Sequence, residues 1–251
     1  MTPVAEIRRI WPEPSTGGLD DAGILAGYGR PARPALRVNF VTSLDGAVEL
    51  AGYSAGLSPP ADRRVLPLLR RLADAVVVAA GTLRAEGYGG LRLGEAGRAW
   101  RRENGLPEQP TLVVVSGSAR FAPTDPIFAD APVRPVLLTR ADAAVPAGLD
   151  EVADILRLGH GTVDLAAGLA ALRSRGLAQL LCEGGPLLFG SLTAADLVDE
   201  LCLTVSPLLA GPGAGRITAG PPAPPRGMAL RQALAAPDGT LLLHYRRHRD
   251  G

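Results

Sequence analysis

The chain has 251 residues, 47% of them hydrophobic and 20% charged, with a formal net charge of +1. That length buries a full core as one large domain or two small ones, and the composition is that of a globular protein rather than a disordered one. The near-neutral balance leaves no broad field for nucleic acid or a membrane surface, so an anionic ligand must be caught locally. The 26 basic residues include no lysine, in keeping with a bias toward Arg, Ala, Gly and Pro. This excludes a lysine Schiff base, a pyridoxal-phosphate anchor and a Walker lysine. The two cysteines, Cys182 and Cys202, sit in apolar runs and read as buried structural thiols. The N-terminus MTPVAEIRRIWPEP has no apolar signal core, and no apolar run reaches membrane-spanning length. A soluble, cytoplasmic protein is expected.

In chain order, residues 1–34 are rich in Pro and Gly and read as an arm over the surface. LRVNFVTS (36–43) is a strand ended by the turn residues Asp45-Gly46. SPPADRRVLPLLRRLA (58–73) reads as a helix with Ser58 as N-cap, Pro59 at its first position, and Val65, Leu68, Leu69 and Leu72 on its apolar face. Pro67 predicts a kink inside it. DAVVVAA (74–80), TLVVVS (111–116) and PVLLT (135–139) are continuous apolar strands. VDLAAGLAALRSRG (163–176) is an amphipathic helix closed by Gly176, followed by the strand AQLLC (178–182). PLLFGSLTAADL (186–197) is the next helix and DELCLTVSP (199–207) the next strand. MALRQALAA and TLLLHYRR flank Pro237-Asp238-Gly239, a hairpin signal. Fully apolar strands alternating with helices predict an α/β fold with a mostly parallel sheet covered on both faces, ending in an antiparallel hairpin. Ligands of such sheets collect beyond the carboxyl ends of strands. Three junctions there carry chemistry: Ser43–Gly46, Gly81–Arg92 and Cys182–Gly190.

Within the last junction, CEGGP sets Glu183 against Gly184, Gly185 and Pro186. Two glycines admit a close backbone approach, and Pro suits a first helical turn whose free N–H groups attract a phosphate. An ordinary strand-to-helix turn has the same composition. GYSAG (52–56) fits the G-x-S-x-G elbow of serine hydrolases, with His160 or His244 as conceivable bases. The elbow needs a helix immediately after Ser54, and Pro59 and Pro60 would fall in its second turn, which sets the hydrolase reading aside. His160, His244 and His248 show no metal-ligand spacing, so no metal site is expected.

Taken together, VTSLDGAVELAGYSAGLSPPADRR, the helix ending LLRR, AGTLRAEGYGGLR and CEGGPLLFGSLTAADLVDELCLTVSPLLAG form an ordered set over roughly residues 35–218. The set resembles the riboflavin-biosynthesis pyrimidine reductases, which have a dihydrofolate reductase-like fold. The resemblance implies a three-layer α/β/α domain over 35–251, preceded by the arm 1–34, with no deaminase domain because no H-x-E or P-C-x-x-C segment occurs. It implies a homodimer and the NADPH-dependent reduction of 5-amino-6-(5-phosphoribosylamino)uracil to its ribitylamino form. By position it carries over Glu183 as a substrate-binding and catalytic acid, with Asp45 as a further catalytic candidate that could equally just make its turn. Ser54, Arg70 and Arg92 fall on the substrate side near its phosphate. Val41, Thr82, Glu86 and Ser116, with Gly185, Pro186, Leu187, Leu188, Phe189, Gly190 and Ser191, fall on the cofactor, and Arg120 beside Ser116 on its 2′-phosphate. Gly56 stands where many members carry tryptophan, and Glu86 where they often carry aspartate. A dihydrofolate or other pterin substrate, and a non-catalytic nucleotide-binding role, remain alternatives.

Overall fold

Strands apolar on both faces need cover on both faces, and the computed structural model, which describes residues 5–87 and 89–248, supplies it. Its strands are β1 (Arg8–Trp11), β2 (Ala35–Thr42), β3 (Ala75–Ala79), β4 (Thr111–Val115), β5 (Val136–Thr139), β6 (Asp154–Arg157), β7 (Gln179–Cys182), β8 (Glu200–Val205), β9 (Met228–Ala235) and β10 (Leu241–Arg247). The helices are α1 (Asp21–Tyr28), α2 (Pro60–Leu72), α3 (Ala80–Ala85), α4 (Glu95–Glu103), α5 (Pro126–Ala129), α6 (Leu149–Val152), α7 (Leu165–Ser174) and α8 (Pro186–Ala194). Among the described residues the strands join one sheet in the order β1-β9-β10-β8-β2-β7-β3-β4-β5-β6. From β8 to β6 every pairing is parallel, and β10, β9 and β1 add to the other edge antiparallel.

Side-chain alternation divides the core. Leu36, Val38, Val77, Leu180 and Cys182 meet α7 and α8 on one face. On the other face Leu181 and Cys202 meet α1 and α2, while Val76, Val78, Leu112 and Val114 meet α3 and the segments around Phe121 and Phe128. The three-layer arrangement and the hairpin around Pro237-Asp238-Gly239 are therefore both found, the turn closing with Ala236 N to Thr240 O at 3.0 Å. Gly176 adopts φ +83° just beyond α7, and the bonds Gly176 N to Arg173 O and Leu177 N to Leu172 O close the helix in a Schellman motif. Both cysteines are free and buried, and burial pushes their thiols up to about 12.

Three local expectations change. The expected arm carries β1 and α1, and Ile7, Ile24, Leu25 and Tyr28 enter the core against α2. Both elements are short, so tertiary packing rather than a visible period forms them; Asp20 caps α1 by accepting from Gly23 N at 2.7 Å. Residues 1–4 of that arm and 249–251 of the expected domain lie outside the described residues. α2 starts one residue later than expected: Pro59 is the N-cap, no side chain caps the helix, and Pro60 opens it. It runs unbroken through Pro67, with Val65, Leu68, Leu69 and Leu72 all buried. No helix of the described residues is long and apolar enough to cross a membrane.

Where β2, β8 and β10 lie side by side, the register sets Arg37 opposite Glu200 and Glu200 opposite Arg246. Arg37 donates to Glu200 Oε2 through Nε at 2.9 Å and through a terminal nitrogen at 2.6 Å, and also reaches the carbonyls of Tyr28 and Gly29. Arg246 binds Glu200 Oε1 at 2.8 Å, and His244 Nε2 lies 3.3 Å from Oε2. This charge cluster ties the antiparallel edge of the sheet to its parallel centre.

Candidate functional site

The site forms where β2, β7 and β3, adjacent in the sheet, release their chains at their carboxyl ends. A cavity of about 550 Å³ opens there, in the size range of small-molecule and cofactor sites. Its lining includes Asn39–Val41 from β2, Ala79, Gly81, Thr82, Ala85 and Glu86 around α3, Glu183–Leu188 after β7, Ser54 and Ser58 from the segment leading into α2, and Asp62 from the first turn of α2.

Two backbone bonds, Glu183 N to Val77 O at 3.0 Å and Ala79 N to Gly184 O at 2.9 Å, carry the β3–β7 ladder one step beyond the strands and fix the loop. Gly184 takes φ +106°, and a Cβ on it would touch Phe40. The Gly184–Gly185 peptide is cis. A Cβ on Gly185 would lie 2.7 Å from Thr82 Oγ1, so the glycine is what lets the chain approach α3. Gly185 then serves as N-cap of α8 without a side-chain cap, leaving the N–H groups of Leu187 and Leu188 for a ligand. Both residues line the cavity. An uncapped helix start beside a glycine cradle fits the diphosphate of a dinucleotide.

Glu183, only 3% exposed at its side chain, meets Arg70 through both oxygens, Nε to Oε1 and a terminal nitrogen to Oε2, each at 2.6 Å. The fork that the resemblance assigned to the substrate phosphate thus clasps the acid of the site. Across the cavity Glu86 Oε1 accepts from Ser54 N at 3.1 Å and Ser54 Oγ at 2.8 Å, which ties the 50–57 loop to the end of α3. Two positions assigned to different ligands are therefore partners of each other.

Of the residues singled out in the sequence, Val41, Ser54, Thr82, Glu86, Glu183, Gly185, Pro186, Leu187 and Leu188 line the one cavity. Asp45, Arg70, Arg92, Ser116, Phe189, Gly190 and Ser191 do not. Asp45 braces a turn: Ser43 Oγ and the N–H groups of Ala210 and Gly211 donate to it and hold its carboxyl at about 2, poor terms for a proton donor near neutrality. Arg92 donates to the carbonyl of Asp130. Ser116 Oγ accepts from Ala119 N at 3.1 Å and Ser191 Oγ donates to Leu187 O at 2.9 Å. Phe189 stacks on Phe40 with ring centroids 5.2 Å apart.

Gly190 answers to packing, since a Cβ there would overlap the carbonyl oxygen of Ala219. Gly190→Ala is expected to cost about 1–3 kcal/mol by forcing that backbone aside, and a denaturant midpoint equal to the parent's would contradict this. Sequence reasoning missed Asn39, Ser58 and Asp62. A signal for Asp62 existed: it precedes Val65, Leu69 and Leu72 at helical spacing, on the buried face of α2. No group of three or more His, Cys, Asp or Glu among the described residues is placed to hold a metal ion.

A mostly parallel α/β sheet with an uncapped, glycine-cradled helix start and an arginine-clasped acid on one cavity is an α/β protein with a small-molecule site beyond the carboxyl ends of its strands. The chain belongs to the RibD C-terminal domain family, whose model matches residues 34–242. It is 30% identical over 181 residues to a 2,5-diamino-6-ribosylamino-4(3H)-pyrimidinone 5′-phosphate reductase of Archaeoglobus fulgidus, covering 71% of this chain and 83% of that protein. It is 29% identical over 183 residues to the reductase of the same name from Methanothermobacter thermautotrophicus, covering 71% and 80%. Among solved structures it is similar to a pyrimidine reductase-like protein of Corynebacterium diphtheriae, at 26% identity and a TM-score of 0.77, covering 86% of this chain and 93% of that one.

Proposed function

We propose that the protein is an NADPH-dependent reductase acting on a ribosylaminopyrimidine 5′-phosphate in riboflavin biosynthesis. The archaeal relatives are reductases of such a compound, and a reductase of this family uses a nicotinamide cofactor. The observation that carries the reading is the junction after β7, which puts an acid and an uncapped helix start on the same cavity. The relatives' names place an amino group on ring carbon C2, where the sequence resemblance placed an oxygen.

The substrate is a glycosylamine. Its furanose opens when a proton reaches O4′, the C1′–O4′ bond breaks and the exocyclic nitrogen, keeping its hydrogen, forms an iminium with C1′. When bound, the dihydronicotinamide supplies the hydride that reduces C1′ to the ribityl carbon. The protein's own part is orientation and exclusion of water. In this reading the N–H groups of Leu187 and Leu188 hold the cofactor diphosphate, while Thr82 and the Val41 backbone set its nicotinamide end. Ser116 and Arg120 are the proposed contacts of the 2′-phosphate, and Glu86 steadies the Ser54 loop that closes the substrate side. Glu183, kept in place by Arg70, accepts hydrogen bonds from the substrate. Arg70 is a positioning residue here, and Arg92 keeps its proposed place toward the phosphate. A homodimer is also part of the proposal, checked by the mass in solution.

Calorimetric titration tests the cofactor half. NADPH is expected to bind, and more tightly than NADH. Absence of heat with either dinucleotide would sink the reading.

A further inference from the structure

Of the carboxylates that line the cavity, Glu183 and Asp62 are held on unequal terms. Glu183 carries the Arg70 clasp. Asp62, in the first turn of α2 and 5% exposed, accepts from Thr204 Oγ1 at 2.7 Å, and the Ser58 hydroxyl also donates to it. Among the described residues the ion pairs include Glu183 but not Asp62. A buried acid without a cation is costly unless donors reach it. Here the donors are two hydroxyls, Arg63 acts only as a nearby charge, and the carboxyl lines the ligand cavity, where the N–H groups of a ligand can reach it. Burial pushes the Asp62 carboxyl up against the pull of Thr204 and Ser58.

We propose that Asp62 is the specificity-determining residue of the site, reading the C2 amino group and the adjacent N3–H of a 2-amino-4-oxopyrimidine. The inference rests on the reductase reading above and decides its ring form: the diaminopyrimidinone phosphate rather than the uracil. An ionised carboxylate accepts the two parallel N–H bonds that the amino ring presents. The uracil turns a carbonyl oxygen to the same place, so two acceptors face each other and neither is satisfied. A site built around a substrate N–H discriminates strongly against an analogue lacking it.

Protonation sharpens the contrast. A neutral Asp62 can donate to the uracil carbonyl, whereas an ionised one cannot, so selectivity for the amino ring rises with pH. The groups facing Asp62 are Tyr28 from α1, Arg63 from α2 itself, Glu183 after β7 and Thr204 from β8, while Glu49 and Glu86 line the same cavity. Burial raises the Tyr28 phenol well above its usual range, which removes it from this titration.

The experiment compares kcat/KM for the diaminopyrimidinone and uracil phosphates with NADPH, in parent and Asp62→Asn protein, from acidic to mildly alkaline pH. The parent is expected to prefer the amino ring by about 100-fold or more, with the ratio rising as pH rises. Asp62→Asn is expected to cut that ratio at least about tenfold while NADPH affinity, which reports a folded variant, stays unchanged. Should the variant fail to fold, the parent's preference between the two rings decides, and a preference for the uracil overturns the inference. So does equal turnover of both rings by the parent, or an unchanged ratio in a variant that binds NADPH. Turnover of neither ring overturns the reductase reading together with this inference.

Discussion

Glu200→Ala is expected to destabilise the protein by about 3–5 kcal/mol, the usual result of leaving a buried charge without its partner. Glu200 is 1% exposed and Arg37 6%, and the guanidinium has no route to water when the carboxylate is removed. The carbonyls of Tyr28 and Gly29 still accept from it, but they do not neutralise it. A loss of that size is a large share of a typical domain's stability, and it reads out as an earlier denaturant midpoint. A variant as stable as the parent would show that the cluster carries no net energy. Acid should erode the same cluster. Burial alone would raise the Glu200 carboxyl, yet His244 and Arg37 hold it well below the usual range. Burial lowers the His244 imidazole despite Glu200 beside it. In both cases the unfolded chain takes up a proton that the folded protein resists. Stability therefore falls as pH drops below about 6.5, through His244, and again below about 4.3, through Glu200. Asp62 acts in the opposite sense, since its carboxyl is raised and favours the folded state on the acid side. Denaturation curves at neutral and mildly acidic pH check the sum, which the two lowered groups are expected to dominate.

Glu183→Gln is expected to weaken the pyrimidine substrate by about 1.5–3 kcal/mol, the worth of a hydrogen bond to a charged group, and NADPH much less. The amide keeps the shape of the side chain but loses the charge that Arg70 clasps. Arg70→Ala should reproduce the pattern, because its guanidinium acts through Glu183. The double variant should then be no worse than the poorer single one, a non-additivity expected of groups in direct contact. If Arg70 instead held the substrate phosphate, the two losses would add, and Arg70→Ala would spare a dephosphorylated substrate. Equal weakening of NADPH and pyrimidine by Glu183→Gln would contradict the division of labour at the junction after β7.

The parallel sheet was legible because its strands are buried on both faces and therefore appear as unbroken apolar runs such as AVVVA and TLVVV. The junction after β7 was legible for a related reason, since two glycines and a proline between such a strand and a helix have few structural uses. Elements held by long-range partners were not. β1 exists because β9 offers an edge, and its own residues show no alternation. α4, EAGRAWRRE, drew no expectation because it holds no apolar run, yet Arg101 is fully buried and donates to the carbonyls of Arg71, Ala73 and Pro107. Within the site, composition pointed to Glu183 and Gly185, whereas pairing is a property of three dimensions. Nothing local tells that Arg70 reaches Glu183, that Glu86 holds Ser54, or that Asp45 spends its oxygens on Ala210 and Gly211.

The most direct measurement is NADPH oxidation by the purified protein with three substrates in turn: the diaminopyrimidinone phosphate, its uracil counterpart and dihydrofolate. Rapid oxidation with a ribosylaminopyrimidine phosphate, yielding the ribitylamino product, is the predicted result. Oxidation with dihydrofolate alone, or with none of the three, would contradict it.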